Sequence, residues 1–291
     1  MKPGTFAYHR VTSTGEAVDV LTELGEDGRV IAGGQSLVAM MNFRLAQPEH
    51  LVDLNHVEEL SYVSRDSGTL AIGAMARQAT VERSTEVRAA VPLLSEALGF
   101  VAHPTIRHRG TVVGSIAHAD PSAELPTVAV GCGASVVIAS ASGTRSVAAK
   151  DFFLGPFETV LQPGEFVSEV RFPTSPSTSS HAFVEFARRH GDFAIAGAAV
   201  LLDFEDERIK SASITLCSVG PRPHSASAAC AVLAGQVPTP EVLAEAVEAA
   251  VEGLAPGSDI HGSTDYRIGV ARSQVRRALA LALERSRGGN R

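Results

Sequence analysis

Two glycine-containing loops carry the residues with the clearest chemical potential. The first loop reads Ile31-Ala32-Gly33-Gly34-Gln35-Ser36-Leu37. Consecutive glycines permit a positive φ and let a ligand approach the backbone closely, and successive N–H groups in such a turn form an anion-binding concavity. Ser36 offers a hydroxyl donor or a cap for the following helix. The pattern is typical of either a phosphate-binding loop or a tight turn before a helix.

The second loop extends from Thr105 to Ser115. Its basic residues are Arg107 and Arg109, and its end reads Gly110-Thr111-Val112-Val113-Gly114-Ser115. Arginine charge, hydroxyl donors and glycines suit a pyrophosphate, whose oxygens require many donors and a positive potential. Because the two loops are far apart in the sequence, together they indicate one long ligand with a diphosphate at its middle.

Polar residues near the second loop offer further contacts. Asp120 and Glu124 could accept hydrogen bonds from ribose hydroxyls or from the amino group of adenine. Alternatively, Asp120 only caps the helix predicted over Ser122–Val130. His118 is a candidate ligand contact, whereas His103 is expected to shape the turn before Pro104.

Two common nucleotide motifs do not match these loops. Neither loop has the Gly-Lys-Ser/Thr ending of a Walker A sequence, and neither contains the G-x-G-x-x-G of a Rossmann dinucleotide site. The sequence therefore disfavours both of those folds.

Short strands and amphipathic helices must position the loops. Apolar runs rich in β-branched residues predict strands at Arg29–Ile31, Leu51–Leu54, Thr69–Ile72, Ser135–Ile138, Phe166–Arg171, Ala194–Phe204 and Ile209–Cys217. Helical spacing of apolar residues predicts helices at Glu16–Leu24, Val87–Leu98, Ser122–Val130, Thr239–Glu252 and Tyr266–Ser286. The Ser-rich segment Thr174–Ser180 is predicted to be a linker, and the basic tail Arg285–Arg291 is predicted to fray.

Length and composition indicate a two-domain globular protein. The chain has 291 residues, of which 45% are hydrophobic and 20% charged. Its net charge of −7 argues against a general nucleic-acid binder. No apolar stretch approaches the roughly 18 residues of a membrane span, and Met1–Arg10 lacks the core of a secretory signal. We therefore expect no membrane span and a cytoplasmic location.

The cysteines do not match an iron–sulfur centre. Cys132, Cys217 and Cys230 are widely spaced and form no C-x-x-C pair. A standard all-cysteine cluster needs four ligands, so this chain alone is not expected to hold one. We interpret the three residues as small buried hydrophobes, and we predict no metal site.

In their order along the chain, these motifs resemble the FAD-binding medium subunit of the molybdenum hydroxylases, the xanthine dehydrogenase and carbon monoxide dehydrogenase family. The segments that carry the resemblance are Ala32–Leu37, Thr105–Ser115, Ala117–Pro121, Asp151–Phe153, Thr159–Glu165 and Arg188–Ala194. Each is weak alone, but together they cover most of the chain in the family's order.

The resemblance implies an α+β fold. Residues 1–175 would form a FAD-binding domain of the vanillyl-alcohol oxidase type, with subdomains of about 1–56 and 57–175. Residues 181–285 would form a small C-terminal α+β domain, a short antiparallel sheet with helices. In such relatives the two loops embrace the pyrophosphate, and the flavin ring lies toward the C-terminal domain.

The resemblance also implies a set of FAD contacts. By motif position, Leu161 and Phe193 would flank the flavin ring, although Phe193 could equally be a core residue. Together with the candidates above, the expected FAD contacts are Ile31, Ala32, Gly33, Gly34, Gln35, Ser36, Leu37, Thr111, Val112, Val113, Gly114, Ser115, His118, Asp120, Glu124, Leu161 and Phe193. Gln35 occupies a position where some flavin oxidases have a linking histidine, so we expect non-covalent FAD.

The sequence departs from the family pattern at two positions. Relatives commonly have two glycines where this chain has Val113-Gly114, and a β-branched Val disfavours a positive φ. The loop can still form if only Gly114 needs that geometry. Relatives also often carry a lysine near Glu185, close to the pyrimidine edge of the flavin. A glutamate cannot stabilise an anionic reduced flavin as a lysine would. Arg188 and Arg189 are the candidates to take the place of that lysine.

The implied function is electron transfer within an oxidoreductase complex. The flavin would receive electrons from 2Fe-2S clusters in a small subunit, while a large molybdopterin-binding subunit hydroxylates the substrate. A dimer of heterotrimers is expected, and the substrate is not determined by this chain. The competing hypotheses are a stand-alone flavin oxidase or reductase, and a non-enzymatic module that binds a nucleotide or phosphate ligand.

Overall fold

A computed structural model describes residues 2–288 of the chain. Its strands are β1 Ala7–Arg10, β2 Gly28–Ile31, β3 His50–Asp53, β4 Val63–Asp66, β5 Thr69–Gly73, β6 Ser135–Ser140, β7 Gly143–Ala148, β8 Phe153–Gly155, β9 Glu158–Thr159, β10 Phe166–Pro173, β11 Ser179–Phe186, β12 Ala196–Glu205, β13 Arg208–Cys217 and β14 His224–Ser225. Its helices are α1 Thr14–Leu24, α2 Leu37–Asn42, α3 Gln78–Arg83, α4 Thr85–Ala90, α5 Pro92–Leu98, α6 Pro104–Arg107, α7 Val112–His118, α8 Glu124–Gly131, α9 Ala149–Phe152, α10 Ser227–Leu233, α11 Pro240–Val251 and α12 Thr264–Gly288.

The first sheet is small and parallel, with the strand order β1-β3-β2. Helix α1 connects β1 to β2 and buries Ala17, Val18 and Leu21. In the register of this sheet Ile31 pairs with Asp53, so β2 and β3 end side by side. The first glycine loop therefore begins at the edge where β3 also ends.

The second sheet is antiparallel, with the strand order β4-β5-β10-β6-β7. Helix α7 packs on its strands β5 and β10, and the fully buried Leu70, Leu94, Ile116 and Phe172 belong to one hydrophobic cluster. Residues of the first sheet, such as Val52, belong to the same cluster. The two sheets thus share a single core.

The third sheet, β11-β12-β13-β14, is also antiparallel. Because side chains alternate along a strand, its two faces have different neighbours. Val200 and Leu216 belong to a second hydrophobic cluster with Leu279 of α12. Phe183 and Ala199 belong instead to the first cluster, and α8 packs on β12 and β13. This sheet therefore separates the C-terminal helices from the N-terminal part.

The predicted α+β class is confirmed by this arrangement of helices and strands. The predicted strands are present within one or two residues, but two helices differ. The helix predicted over Val87–Leu98 is the pair α4 and α5, because Val91 leaves the helical conformation with a φ of −138° and Pro92 starts α5. The helix predicted from Ser122 begins only at Glu124, with Ala123 as its N-cap.

The predicted linker and tail are also more ordered than expected. Within Thr174–Ser180, Ser179 and Ser180 already pair with β12. The tail predicted to fray over Arg285–Arg291 is helical to Gly288, and Arg285 forms an ion pair with Glu96 at 2.8 Å. Residues 289–291 lie outside the described residues. No helix between residues 2 and 288 is long and apolar enough to cross a membrane.

Candidate cofactor site

The two glycine loops meet through their backbones. A Cβ atom placed on Gly33 would lie 2.5 Å from the carbonyl oxygen of Arg109 and 2.7 Å from the Cα atom of Gly110. Neither atom belongs to a side chain that could move aside. A residue with any side chain at position 33 would therefore push the loops apart, and the glycine is required by the fold of the site.

Gly34 is required for a different reason. Its φ is +72°, in the left-handed region that L side chains rarely adopt. This turn leads directly into α2, whose Val38 N–H donates to the Gly34 carbonyl at 3.1 Å. The expectation that the first loop uses positive φ holds at this residue.

The second loop ends as the first turn of helix α7. Thr111 is the N-cap, and its hydroxyl oxygen accepts a hydrogen bond from the Gly114 N–H at 3.0 Å. Val113 is a buried core residue of this helix, and neither Val113 nor Gly114 has a positive φ. The concern that Val113 opposes a left-handed turn is therefore wrong, because the turn is an ordinary helix start.

The loops present unpartnered donors where they meet. Among the described residues, the backbone N–H groups of Gly34, Gln35, Ser36 and Val113 have no protein acceptor. Ser36 is at the N-cap position of α2, but its hydroxyl makes no capping bond and is free for a ligand. Free N–H and O–H donors around two closely packed glycine turns fit the oxygens of a pyrophosphate.

The two arginines of the second loop have different roles. Arg107 is buried and pairs with Glu82 at 2.9 Å, and it also donates to the carbonyl of Val101. The expectation that it provides positive potential to a pyrophosphate is therefore wrong for Arg107. Arg109 is exposed, and its carbonyl is the group that contacts Gly33.

Asn55 and Arg77 connect the two loops, and the motif pattern does not identify either one. The Asn55 side chain donates to the Ala32 carbonyl at 2.8 Å. Arg77 donates to the Asn55 side chain at 2.6 Å and to the Arg109 carbonyl at 2.5 Å. Burial lowers the pKa of Arg77, with a smaller effect from Arg109. No regular spacing in the sequence predicts a contact among residues 32, 55, 77 and 109. They come together only where the strands of the folded sheets end.

Asp120 and His118 lie just beyond α7. The Asp120 side chain accepts from the Ser122 N–H at 2.9 Å, two residues before α8 begins. The alternative that Asp120 caps α8 is therefore wrong, because Ala123 occupies the N-cap position. The His118 ring lies 5.0 Å from the ring of Phe157, and burial lowers its pKa. His118 is accordingly neutral near pH 7.

Glu124 is the first residue of α8 and is buried, with 6% of its surface exposed. Burial raises its pKa to about 7, and nearby Asp120 adds to the shift. Glu185 of β11 is a second carboxyl group near Glu124, and burial followed by the charge of Glu124 raises the Glu185 pKa to about 8. The N-terminal part and the third sheet thus bring two carboxyl groups together.

Phe193 and Leu161 have contrasting surroundings. Phe193 is 67% exposed, so the alternative that it is a core residue is wrong. Leu161 is half-buried, and its N–H donates to the Thr159 hydroxyl. His103 lies under the segment that carries Phe193, because a Cβ atom on Gly191 would be 2.6 Å from its ring. His103 therefore supports that segment as well as the turn before Pro104.

The comparisons with known proteins agree along the whole chain. Residues 4–175 match the model for the FAD binding domain in molybdopterin dehydrogenase, and residues 181–282 match the CO dehydrogenase flavoprotein C-terminal domain. The chain is 41% identical over 288 residues to the 6-hydroxypseudooxynicotine dehydrogenase complex subunit alpha of Paenarthrobacter nicotinovorans, covering 99% of this chain and 97% of that protein.

Two further proteins match over nearly the whole chain, one by sequence and one by structure. The chain is 37% identical over 285 residues to the carbon monoxide dehydrogenase medium chain of Hydrogenophaga pseudoflava, covering 98% of this chain and 99% of that one. The structure of quinoline 2-oxidoreductase from Pseudomonas putida 86 matches with a TM-score of 0.93 and 41% identity over 99% of both chains.

The fold and the donor-rich loops define a FAD-binding flavoprotein of the oxidoreductase class. More particularly, the chain belongs to the family of FAD subunits of the molybdenum hydroxylases, which includes the carbon monoxide and xanthine dehydrogenase types. Its own cofactor is FAD, while the molybdopterin and iron–sulfur groups of the family belong to other subunits.

Proposed function

We propose that the chain relays electrons inside a molybdenum hydroxylase complex. It takes them from 2Fe-2S clusters of a small partner subunit and passes them to an external acceptor. The observation that carries this proposal is the backbone contact between Gly33 and Arg109, which builds one donor-rich site from two distant loops. FAD supplies the redox chemistry when it is bound, because the flavin exchanges electrons with both one-electron and two-electron partners.

The chain's own residues bind and orient the cofactor in this proposal. The free N–H groups of residues 34–36 and 113 hold the phosphates, with Thr111, Ser115 and the other loop residues around them. Asn55 and Arg77 keep the two loops together through their hydrogen bonds. Exposed Phe193 and half-buried Leu161 flank the flavin ring, with Asp120, Glu124 and His118 as neighbouring polar contacts. Binding is non-covalent.

The two hydrophobic clusters support a division into two domains, with Phe183 and Ala199 of the third sheet packed into the first cluster. Residues 1–175 form the FAD-binding domain, with subdomains of about 1–56 and 57–175, and residues 181–285 form the C-terminal domain. The cluster around Leu94 and Phe172 supports the first domain. The cluster around Val200 and Leu279 supports the second.

Partners must supply the metal centres. Among the described residues, no group of three or more His, Cys, Asp or Glu side chains could hold a metal ion. Large apolar side chains on the surface support contact surfaces for a large molybdopterin subunit and a small iron–sulfur subunit. They include Phe43, Leu45 and Ile260, which are 65%, 76% and 94% exposed to solvent. We propose a heterotrimer that pairs into a dimer of heterotrimers. The three free cysteines fit a reducing, cytoplasmic location.

The substrate of the complex is set outside this chain. The relatives described above are named for 6-hydroxypseudooxynicotine, carbon monoxide and quinoline, which differ widely in size and polarity. Chains this similar serving such different substrates support a substrate pocket in the large subunit. The flavin subunit would then have a common role across the family.

Purification of the chain alone and with its partners tests this function. The single chain should be yellow, should release its flavin on acid precipitation, and should be reducible without hydroxylating an organic substrate. Co-expression with the large and small subunits should yield a stable heterotrimer with hydroxylase activity. Metal-free hydroxylation by the single chain would instead establish a stand-alone flavoenzyme.

A further inference from the structure

A cavity of about 330 Å³ is lined by residues of helices α3, α4 and α6 and by the residue that follows α6. Its volume falls within the roughly 300–1,000 Å³ of typical small-molecule sites. None of the lining residues is among the expected FAD contacts, so this cavity is distinct from the proposed cofactor site. The lining residues are Ala79, Glu82, Arg83, Arg88, Pro104 and His108.

The one carboxyl group in the lining is already paired. Both oxygens of Glu82 accept from Arg107, at 2.9 Å from Nε and at 3.1 Å from Nη2. Arg107 is buried, and it also donates to the carbonyl of Val101 at 2.8 Å. The charge of Glu82 is therefore compensated from the interior, and it does not cancel the charges of the other lining residues.

Three basic side chains of the lining have donors to spare. Arg83 donates from Nε to the Ala79 carbonyl at 2.9 Å, which fixes its guanidinium on α3 and leaves both terminal nitrogens without a partner in the described part of the chain. The exposed Arg88 and His108 likewise form no side-chain hydrogen bond or ion pair with any described residue. Glu86 is near Arg88 in the sequence, but it does not line the cavity. The cavity thus combines two arginines and a histidine with no free carboxylate opposite them.

The fold brings these basic residues together from two parts of the chain. Arg83 is the last residue of α3, and Ser84 directly follows it as the N-cap of α4. This tight connection places Arg88 in the same cavity, one turn into α4. His108 follows the last residue of α6, and α6 packs on α3. Tertiary packing therefore builds the cavity, and no local motif predicts it.

A phosphate group suits these donors better than a carboxylate does. A guanidinium presents its N–H groups in a planar fork that matches two phosphate oxygens. A phosphomonoester carries about −1.5 to −2 charges at pH 7, so it can use both arginines. His108 adds an N–H donor even when its ring is neutral. Because the cavity exceeds the size of a phosphate ion, it leaves room for the organic part of an ester beside Ala79 and Pro104.

We propose that this cavity binds the phosphate group of a small phosphomonoester, at a site separate from that of FAD. Arg83 and Arg88 hold the phosphate oxygens, and His108 donates a further hydrogen bond. The occupant joins α3 to α4 and to the segment before Gly110, whose carbonyl accepts the N–H of Gln78 at the start of α3 at 2.9 Å. Occupancy therefore reinforces the support of the second glycine loop. This inference goes beyond the proposed electron transfer and does not depend on it.

The test is calorimetric titration of the purified chain with inorganic phosphate and with phenyl phosphate, at constant ionic strength. A few exposed, charge-assisted contacts correspond to a dissociation constant on the order of 1 mM. Saturating FAD should not displace either anion, because the lining residues are not the proposed FAD contacts. Anions that are displaced by FAD would occupy the glycine loops, and the absence of binding or such displacement would overturn the proposal.

Substitutions at Arg88 locate the bound anion. Arg88→Ala should weaken binding about tenfold, because one charged contact is lost, while Arg88→Lys keeps the charge and should lose less. Arg88→Glu should abolish binding. Arg65→Ala, at an exposed arginine of β4 outside the cavity, is the matched control and should bind like the wild type. Arg88 is exposed, so these variants should fold, and circular dichroism checks this. Equal binding by the wild type and Arg88→Glu would mean that the anion lies elsewhere.

The same titration on the assembled heterotrimer distinguishes a small ligand from a protein partner. We expect the complex to bind phenyl phosphate and to lose that binding in Arg88→Glu. A complex that binds no phosphate, although the single chain does, would show that an acidic surface of a partner subunit covers the arginines, and the small-molecule assignment would be wrong. Failure of the heterotrimer to form would count against the proposed function alone, because the titration of the single chain would still decide the anion site.

Discussion

In the first loop Gly33 touches the backbone of Arg109 directly and Gly34 has a left-handed φ, whereas in the second loop Gly114 lies inside an ordinary helix. The first loop thus depends on glycine for backbone geometry. In the second loop the constraint is local, because a Cβ atom on Gly114 would lie 2.5 Å from the Thr111 hydroxyl oxygen. Two loops of similar composition therefore tolerate substitution differently.

The difference shows what each loop contributes to the site. A side chain at position 33 would clash with backbone atoms, and no rotamer change can relieve that clash. A side chain at position 114 would clash with the Thr111 hydroxyl, which can rotate away. The first loop therefore fixes the distance between the two halves of the site. The second orients the start of α7 through its N-cap.

Gly33→Val tests the comparison at its strongest point. The new side chain must separate two backbones, so FAD affinity should fall by on the order of 100-fold or more. Fluorescence titration measures the affinity, and circular dichroism checks the fold. Gly4→Ala is the control, because the nearest atom to its Cβ position is 4.0 Å away. Retained affinity in Gly33→Val would mean that the loops do not have to touch.

Val113→Gly separates core packing from loop geometry. The change brings the chain closer to the family's two-glycine pattern, but Val113 is 2% exposed in the core. Loss of the buried side chain and a glycine inside α7 should destabilise the chain by about 2–4 kcal/mol. Urea unfolding measures this effect, with Val237→Gly at a partly exposed position as the comparison. Unchanged stability would show that position 113 does not need a side chain.

Gly34→Val should affect FAD binding less than Gly33→Val does. A left-handed residue with a side chain costs about 1–2 kcal/mol, and a branched one more, so affinity should fall by roughly tenfold or more. Gly34→Asn is the matched variant, because asparagine tolerates this region better. Equal losses in Gly34→Asn and Gly34→Val would indicate that space, and not φ, is limiting.

Gly114→Ala should have the smallest effect of the four. The methyl group forces Thr111 to turn and weakens the N-cap, which contributes about 1 kcal/mol. The expected result is a fall in FAD affinity of several-fold, with Thr111→Ala giving a similar loss and Thr111→Ser keeping the cap. A loss as large as that of Gly33→Val would remove the distinction between the loops.

The sequence by itself determined the class of the fold and the position of its loops. Local patterns are sufficient for this, because β-branched runs, helical spacing and glycine turns act over a few residues. The strands that flank the first loop and the helices at the C-terminal end follow from such patterns. The family resemblance depended on the same local motifs and is confirmed by the matches over residues 4–175 and 181–282.

The tertiary structure alone decided which side chains of the loops pair in the interior and which other residues bridge the loops. Arg107 belongs to the second loop, yet it pairs with Glu82 in the interior, while Arg77 and Asn55 lie outside both motifs and bridge the loops. The effect of Glu124 on the pKa of Glu185 likewise depends on how α8 packs against the third sheet. These contacts join segments far apart in the sequence, and no local periodicity encodes the direction in which a side chain points after the sheets have packed.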